Sequence, residues 1–465
     1  MRNFMNKYIG DRNFYKRVLS LAVPVITQNA ISSFVSFLDN IMIGQVGTEQ
    51  MSGVAIVNQL LFVLYICIFG GVSAAGIFGT QFFGKGDYEG QKYAFRFKLY
   101  AAIGITIIAL LLFGFFGTEL IQLYLSDSGE VGNIELALQY GLEYLAVMML
   151  GLIPFAISQA YMNSMRETGH TFVQMIAGIC AMGTNLVLNW LLIFGIGPFP
   201  AMGVKGAAVA TVISRLVEFL VVVVWTHKNP KKNPYIVGAY KSLRIPKRIL
   251  KDIFVKGTPL MLNELFWAAG MAAITQCYAV RGLEVVAAQN ISSTISNLFN
   301  VVYIQLGGCI AIIVGQHLGA GNLEEAKDSQ RKMTFFSVVC CAGVAFIMML
   351  VGGFFPELYE TEESIKLLAK EFIMISAAVM PICAYCHCSY FTLRSGGKTV
   401  ITFLFDSVYT WVIVIPVATI LAKYSTLGIV LVFFLVSFLE IIKAIIGFFM
   451  VKSGVWIQNI VKESN

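Results

Sequence analysis

Charge is what this sequence has least of. Of its 465 residues only 13% are Asp, Glu, Lys or Arg, against 57% hydrophobic residues and a mean hydropathy of +0.76. A chain so poor in charge has no means of covering itself with a water-facing surface, so a soluble globular protein is excluded and lipid is the expected solvent. Alternating apolar and polar segments are also missing. Runs such as 105–116 and 432–450 are long and mostly apolar, continuous rather than alternating, which excludes a barrel. In hydrocarbon every backbone N–H and C=O needs an internal partner, and helices then remain as the spanning element. Residues 1–17 lack a short apolar stretch ending in a small-residue cleavage site, so no removable signal peptide is expected and the first helix serves as the insertion signal. No disulfide framework is expected either. Cys67, Cys180, Cys277, Cys309, Cys340 and Cys341 sit inside apolar runs, where cysteine behaves as a small buried hydrophobe.

What remains is a series of long apolar segments. Cutting at charged, polar or Gly-rich punctuation places helices at 17–44, 52–83, 93–116, 134–162, 172–196 and 203–226, then at 253–280, 285–317, 331–356, 365–393, 400–422 and 427–452. The expected fold is an all-α polytopic membrane protein with twelve transmembrane helices in two pseudo-symmetric six-helix bundles. Its parts are an N-terminal tail (1–16), an N-lobe (17–226), a basic linker (227–252), a C-lobe (253–452) and a C-terminal tail (453–465). Most Lys and Arg fall in the even-numbered loops and the two tails. The positive-inside rule then puts both termini in the cytoplasm of a cell, with a bacterial inner membrane as the expected location. The net charge of +7 is accordingly read as orientation rather than as nucleic-acid binding.

The two halves repeat each other. GTQFFGKGD (79–87) faces VGQHLGAGN (314–322), with Gln81/Gln316, Gly84/Gly319 and Gly86/Gly321 each 235 residues apart, and Pro24/Pro259 keep the same spacing. MRETGHT (165–171) matches LRSGGKT (393–399) through Arg166/Arg394, Gly169/Gly397 and Thr171/Thr399 at a spacing of 228. Each unit has an even number of helices, so both enter the membrane from the same side. That is the parallel-repeat plan of transporters that rock two halves around a central cavity.

These segments, together with LAVPVITQNAISSFVSFLDNIMIGQVG (21–47) and GTNLVLNWLLIFGIG (183–197), resemble the multidrug and toxic compound extrusion (MATE) family over nearly the whole chain. The resemblance implies an N-lobe and a C-lobe, alternating access, and export of organic, often cationic, compounds in exchange for Na⁺ or H⁺. No cofactor is expected beyond that coupling ion, and a monomer suffices because the two repeats lie in one chain.

An acid at mid-bilayer costs about 2.5 to 3.5 kcal/mol on insertion scales, so each one in a helix asks for a function. Asp39 lies in the outer half of the first helix on an otherwise apolar face. There it can carry a proton or offer a hard oxygen to Na⁺, and the resemblance places the family's coupling acid at this position. Where family members carry an Asn and, four residues later, an Asp on helix 5, this chain has Asn185 and Asn189. An amide ligates Na⁺ but accepts no proton, so Asp39 is the titratable group of the set. Thr211 is similar to the helix 6 hydroxyl of the same cluster. For Asn185, Asn189 and Thr211, ordinary interhelical hydrogen bonds are the competing reading.

In the second half, Glu264 near the middle of helix 7 is the candidate coupling acid. Asn263 and Trp267 beside it are candidate substrate contacts, since a Trp face attracts organic cations. Glu264 follows Pro259 by five residues, about one turn earlier than the functional Glu of some family members. Asp406 in helix 11 is a candidate way station for the cation, because the helix 10 acid of other members is replaced by Cys383. Arg215/Glu218 and Glu440/Lys443, each three apart on one helix face, read as structural ion pairs. The Cys383–Cys388 run offers haem-like and zinc-like spacing, yet it continues a hydrophobic helix whose periodicity sends the ligands around different faces, so neither group is expected. His170 and His317 are read as solvated loop residues. No nucleophile, metal cluster or phosphate loop argues for an enzyme. A lipid-linked oligosaccharide flippase of related architecture is the alternative, and it would want a basic cavity, whereas this chain offers little Arg or Lys deep within its spans.

Overall fold

The structure, a computed structural model, describes residues 7–127 and 133–462; the outermost residues of both expected tails, 1–6 and 463–465, lie outside that set. It contains twelve long helices in the expected order: α1 (Arg12–Gly44), α2 (Thr48–Lys85), α3 (Tyr88–Asp127), α4 (Ile134–Glu167), α5 (Thr171–Phe194), α6 (Val204–Lys228), α7 (Lys247–Ala279), α8 (Leu283–Gly319), α9 (Leu323–Gly352), α10 (Glu363–Ser395), α11 (Thr399–Tyr424) and α12 (Ile429–Lys452). Eleven of them are long and apolar enough to cross a membrane. The twelfth, α7, falls short because Asn263 and Glu264 interrupt its apolar centre, so the residues that weaken the span are two of the candidate site residues. The protein is a multi-pass membrane protein.

Several helices outrun the apolar segments that announce them. α4 continues to Glu167 and α9 begins at Leu323, so polar ends continue the helix past the apolar core. α3 bends at Phe116 (φ −124°, ψ 15°) between Gly114 and Gly117 and then runs on to Asp127, where the sequence alone suggests an end at 116. In α11 the turns Leu404–Val408 and Thr410–Val414 are wound as π-helix. Pro416, which has no N–H to return to the carbonyl four residues back, follows them. Such widened turns occur in helices mainly at functional sites.

Contacts divide the chain into two compact units, one of Met1–Ala22, Thr80–Asp87 and Asp252–Asn465, the other of Val23–Gly79 and Tyr88–Lys251. Within the second unit, α6 packs along α4 and α5, over a core that includes Val57, Leu61, Ile68, Leu152 and Ala208. The basic linker is packed too: Tyr235 is fully buried beside Phe95 and Tyr161, and Arg96 holds the Ala239 carbonyl at 2.7 Å. Within the first unit, α8 lies along α10, and Phe372, Tyr278 and Tyr409 close the core with α12.

The internal repeat is written into the backbone. Gly86/Gly321 and Gly169/Gly397 all take positive φ, at 75°, 81°, 85° and 71°, the left-handed region where glycine carries no Cβ penalty. Gly84 and Gly319 answer a different need. A Cβ on Gly84 would stand 2.0 Å from the Gln316 carbonyl oxygen, and one on Gly319 would stand 2.0 Å from the Gln81 carbonyl oxygen. The two repeat motifs therefore cross at reciprocal glycines. The repeat glutamine Gln81 fastens the crossing, donating to the Ser395 and Gln458 carbonyls (2.9 and 3.2 Å) and accepting from the Ile460 amide (2.9 Å). We expect Gly84→Ala and Gly319→Ala each to destabilise the protein by about 1–3 kcal/mol, since backbone has no rotamer with which to yield. Gly104→Ala, with nothing within 4 Å of its Cβ, should be neutral or slightly stabilising. Thermal unfolding of the three variants in detergent checks this; equal effects at all three positions would contradict the crossing.

Candidate functional site

Asp39 on α1 meets α5 and α6 within one unit. The Asn189 amide donates to Asp39 Oδ1 at 2.7 Å. Asn185, one helical turn before it, donates from its amide nitrogen to both Asp39 oxygens (3.1 and 3.2 Å), and its oxygen accepts from the Thr211 hydroxyl at 3.2 Å. The neighbours set this orientation, because the opposite one would turn the amide oxygen against the carboxylate. All four residues expected from the sequence are brought together.

Two features give this cluster its chemistry. No Lys, Arg or His among the described residues pairs with Asp39, whose bonded neighbours are neutral. And Asn189, 1% exposed, has a carbonyl oxygen with no hydrogen-bond donor among the described residues. A buried acceptor without a donor costs free energy unless something electropositive visits it. A carboxylate, two amide oxygens and a hydroxyl are the oxygen donors that hard cations take.

The carboxylates of the other unit are differently placed. Glu264 Oε1 accepts from Arg394 Nη1 at 3.2 Å and from the Tyr390 hydroxyl at 3.5 Å. Asp406, carried on the first π-turn of α11, holds Lys443 Nζ at 2.8 Å and accepts from Asn263 Nδ2 at 3.0 Å. Asn263 joins the two pairs, because its amide also donates to Tyr390 (3.1 Å) and its oxygen accepts from Ser407 (2.7 Å). A continuous polar chain thus runs Arg394, Glu264, Tyr390, Asn263, Asp406, Lys443 across α7, α10, α11 and α12. Lys443 lies 4.0 Å from Glu440 and much closer to Asp406, so the expected Glu440/Lys443 pair is the weaker of its two. The Arg215/Glu218 pair forms at 3.5 Å, with Arg215 over the Phe155 ring at 4.7 Å.

Trp267 stands 38% exposed and joins no bond or ring contact among the described residues. The buried Asn263 has both ends of its amide engaged. Sequence reasoning missed Tyr390, Arg394 and Lys443 as partners of these acids; the signal was three polar side chains inside apolar helices. It also missed Lys98. That ammonium, fully buried, donates to Ser164 at 3.0 Å and pairs with buried Glu167. Lys98 lies within the expected helix at 93–116, and Arg394 falls inside α10, one residue past the expected end at 393, so both join the basic residues buried within the helices. His170, read as solvated, is half-buried against Trp225. Burial first, and then Lys232, hold its imidazole below the usual range, which keeps it neutral.

A family model described as MatE matches residues 24–191 and 259–420. The chain belongs to the MatE family. The two matched stretches open at Pro24 and Pro259, the prolines of the internal repeat, and together take in every residue of both clusters except Thr211 and Lys443. Among curated proteins, this MatE chain is 24% identical over 416 residues to a probable multidrug resistance protein NorM of Thermotoga maritima, covering 89% of this chain and 87% of that one. To a probable multidrug resistance protein NorM of Halalkalibacterium halodurans it is 25% identical over 418 residues, covering 89% and 88%. Its fold is shared with a solved multidrug resistance MATE family transporter of the MOP superfamily in an outward-facing conformation, at a TM-score of 0.84 and 20% identity over 96% of both chains. MatE membership makes the chain a multidrug efflux transporter of small molecules by family.

Proposed function

We propose that this MatE protein is a secondary active antiporter that exports organic, cationic or amphipathic compounds in exchange for Na⁺ or H⁺ by alternating access, with Asp39 as the seat of the coupling ion. The observation that carries the reading is the contrast between the acids. Asp39 is bonded to neutral amides beside a donorless oxygen, whereas Glu264 and Asp406 each have a basic partner from another helix. A cation arriving at Asp39 displaces hydrogen bonds only. One arriving at Glu264 or Asp406 must break a buried ion pair, and leaving one partner of such a pair uncompensated costs about 3–5 kcal/mol. With Na⁺ bound, the Asn185 and Asn189 oxygens and Thr211 Oγ1 supply further ligands; with H⁺ bound, Asp39 itself becomes the donor to Asn189. Both termini face the cytoplasm in this reading, and one chain acts alone.

The polar chain through Glu264 and Asp406 is then a neutralised scaffold, which an organic cation engages only by displacing Arg394 or Lys443. The flippase alternative gains little from the extra buried basic residues. Lys98, Arg215, Arg394 and Lys443 are each matched by a carboxylate, so none of these four is left uncompensated for a pyrophosphate. Efflux of a fluorescent organic cation from proteoliposomes, with Na⁺ and pH gradients imposed separately, tests the proposal. At least one gradient should accelerate efflux; indifference to both would overturn antiport.

A further inference from the structure

Where α1 begins and α12 ends, the first unit holds a cavity of about 790 Å³ that takes no part in either cluster. Its rim is basic. Lys7 precedes α1, Lys327 and Arg331 stand on the first turns of α9, and Lys452 ends α12. Below them the wall is aromatic and aliphatic, with Phe335, Val338, Tyr385 and Phe448, and Trp456 closes one side through a bond from its indole N–H to the Val451 carbonyl (3.0 Å). Among the described residues no Asp or Glu lines it. Lys327 shares its charge with Glu324 at 2.7 Å, but Lys7 and Lys452 lie over the Tyr8 and Phe448 rings (5.7 and 5.6 Å), a contact that leaves ammonium protons free for an anion.

We infer that this cavity binds an anionic phospholipid, with its phosphate among Lys327, Arg331 and Lys452 and an acyl chain along Phe335, Val338 and Phe448. Three arguments converge. The charge is of one sign, which repels the organic cations proposed as cargo and attracts a phosphodiester. The polarity grades from basic rim to apolar floor along the direction in which a lipid does the same. And the position, at helix ends where hydrocarbon gives way to headgroups, is where basic pockets between membrane helices take acidic lipids. The volume falls within the range of about 300–1,000 Å³ usual for ligand sites. A free anion would use the rim and leave the apolar floor unfilled.

Titration of the purified full-length protein in detergent with phosphatidylglycerol, phosphatidylcholine or inorganic phosphate, followed by native mass spectrometry, tests this. The wild type should retain phosphatidylglycerol in preference to phosphatidylcholine. Each basic side chain near a lipid phosphate is worth roughly a five-fold gain in affinity, so Arg331→Gln with Lys452→Gln should weaken binding about thirty-fold, while Arg331→Lys keeps it. The lipid-free melting temperature of the double variant should match wild type. Should that variant fail to fold, Lys7→Gln, which lies before α1, should weaken binding about five-fold. Equal retention of the two lipids, binding unaffected by loss of the basic residues, or full displacement by inorganic phosphate would each overturn the assignment.

Discussion

Asp39→Asn should abolish the response of the protein to its coupling ion while leaving the fold in place. The substitution keeps the size of the side chain and its ability to bond the Asn189 amide, which donates at 2.7 Å, but removes the negative charge. Loss of a charge-assisted interaction is worth about 1.5–3 kcal/mol, or roughly ten- to a hundred-fold in cation affinity. The readout is the unfolding temperature in detergent, titrated with Na⁺ at constant ionic strength and separately with pH. An ion that binds only the folded state raises that temperature as its concentration rises. Wild type should show this rise with one of the two ions and Asp39→Asn with neither, at an unchanged starting temperature. A variant that still responds as wild type does would place the ion elsewhere.

The second large effect is expected at Lys443. Its side chain is 8% exposed and sits 2.8 Å from Asp406, so Lys443→Met leaves a buried carboxylate whose remaining hydrogen bond among the described residues comes from Asn263. The cost should be about 3–5 kcal/mol. Adding Asp406→Asn removes the stranded charge, and the double variant should recover most of the loss. Equilibrium unfolding in mixed micelles of both single variants and the double completes the cycle. A double variant no better than the sum of its parts would show that the pair is not what holds α11 to α12 at this level. The same logic applies to Arg394 and Glu264, where Tyr390 shares the acceptor and softens the loss.

The helix count, the order of helices and the tandem repeat were all legible in the sequence, because each rests on local signals: apolar length, charged punctuation, and glycines that recur at fixed spacing. The Asp39 cluster was legible for a related reason. Asn185 and Asn189 are four apart and must share a helix face, and a lone acid in an apolar helix draws attention to itself. The partners of the other two acids were not. Arg394 lies 130 residues from Glu264 and Lys443 lies 37 from Asp406, and nothing local tells which of several intramembrane charges faces which. The π-turns of α11 compound the difficulty. A residue on a widened turn departs from the hundred-degree spacing by which faces are counted, and Asp406 is on such a turn. Glu167 was hidden because a motif with Gly and His at its end reads as a loop, whereas α4 stays helical through Glu167; Lys98, inside the expected helix at 93–116, was thereby left without a visible partner.

The central claim is that the ion couples at the acid with neutral neighbours and not at the acids with basic ones. The most direct measurement is gradient-driven efflux of a fluorescent organic cation from proteoliposomes containing wild type, Asp39→Asn, or the charge-neutral double variant Asp406→Asn with Lys443→Met. The account predicts that efflux loses its dependence on the ion gradient in Asp39→Asn and keeps it, at whatever rate, in the double variant. Dependence retained in Asp39→Asn and lost in the double variant would contradict it.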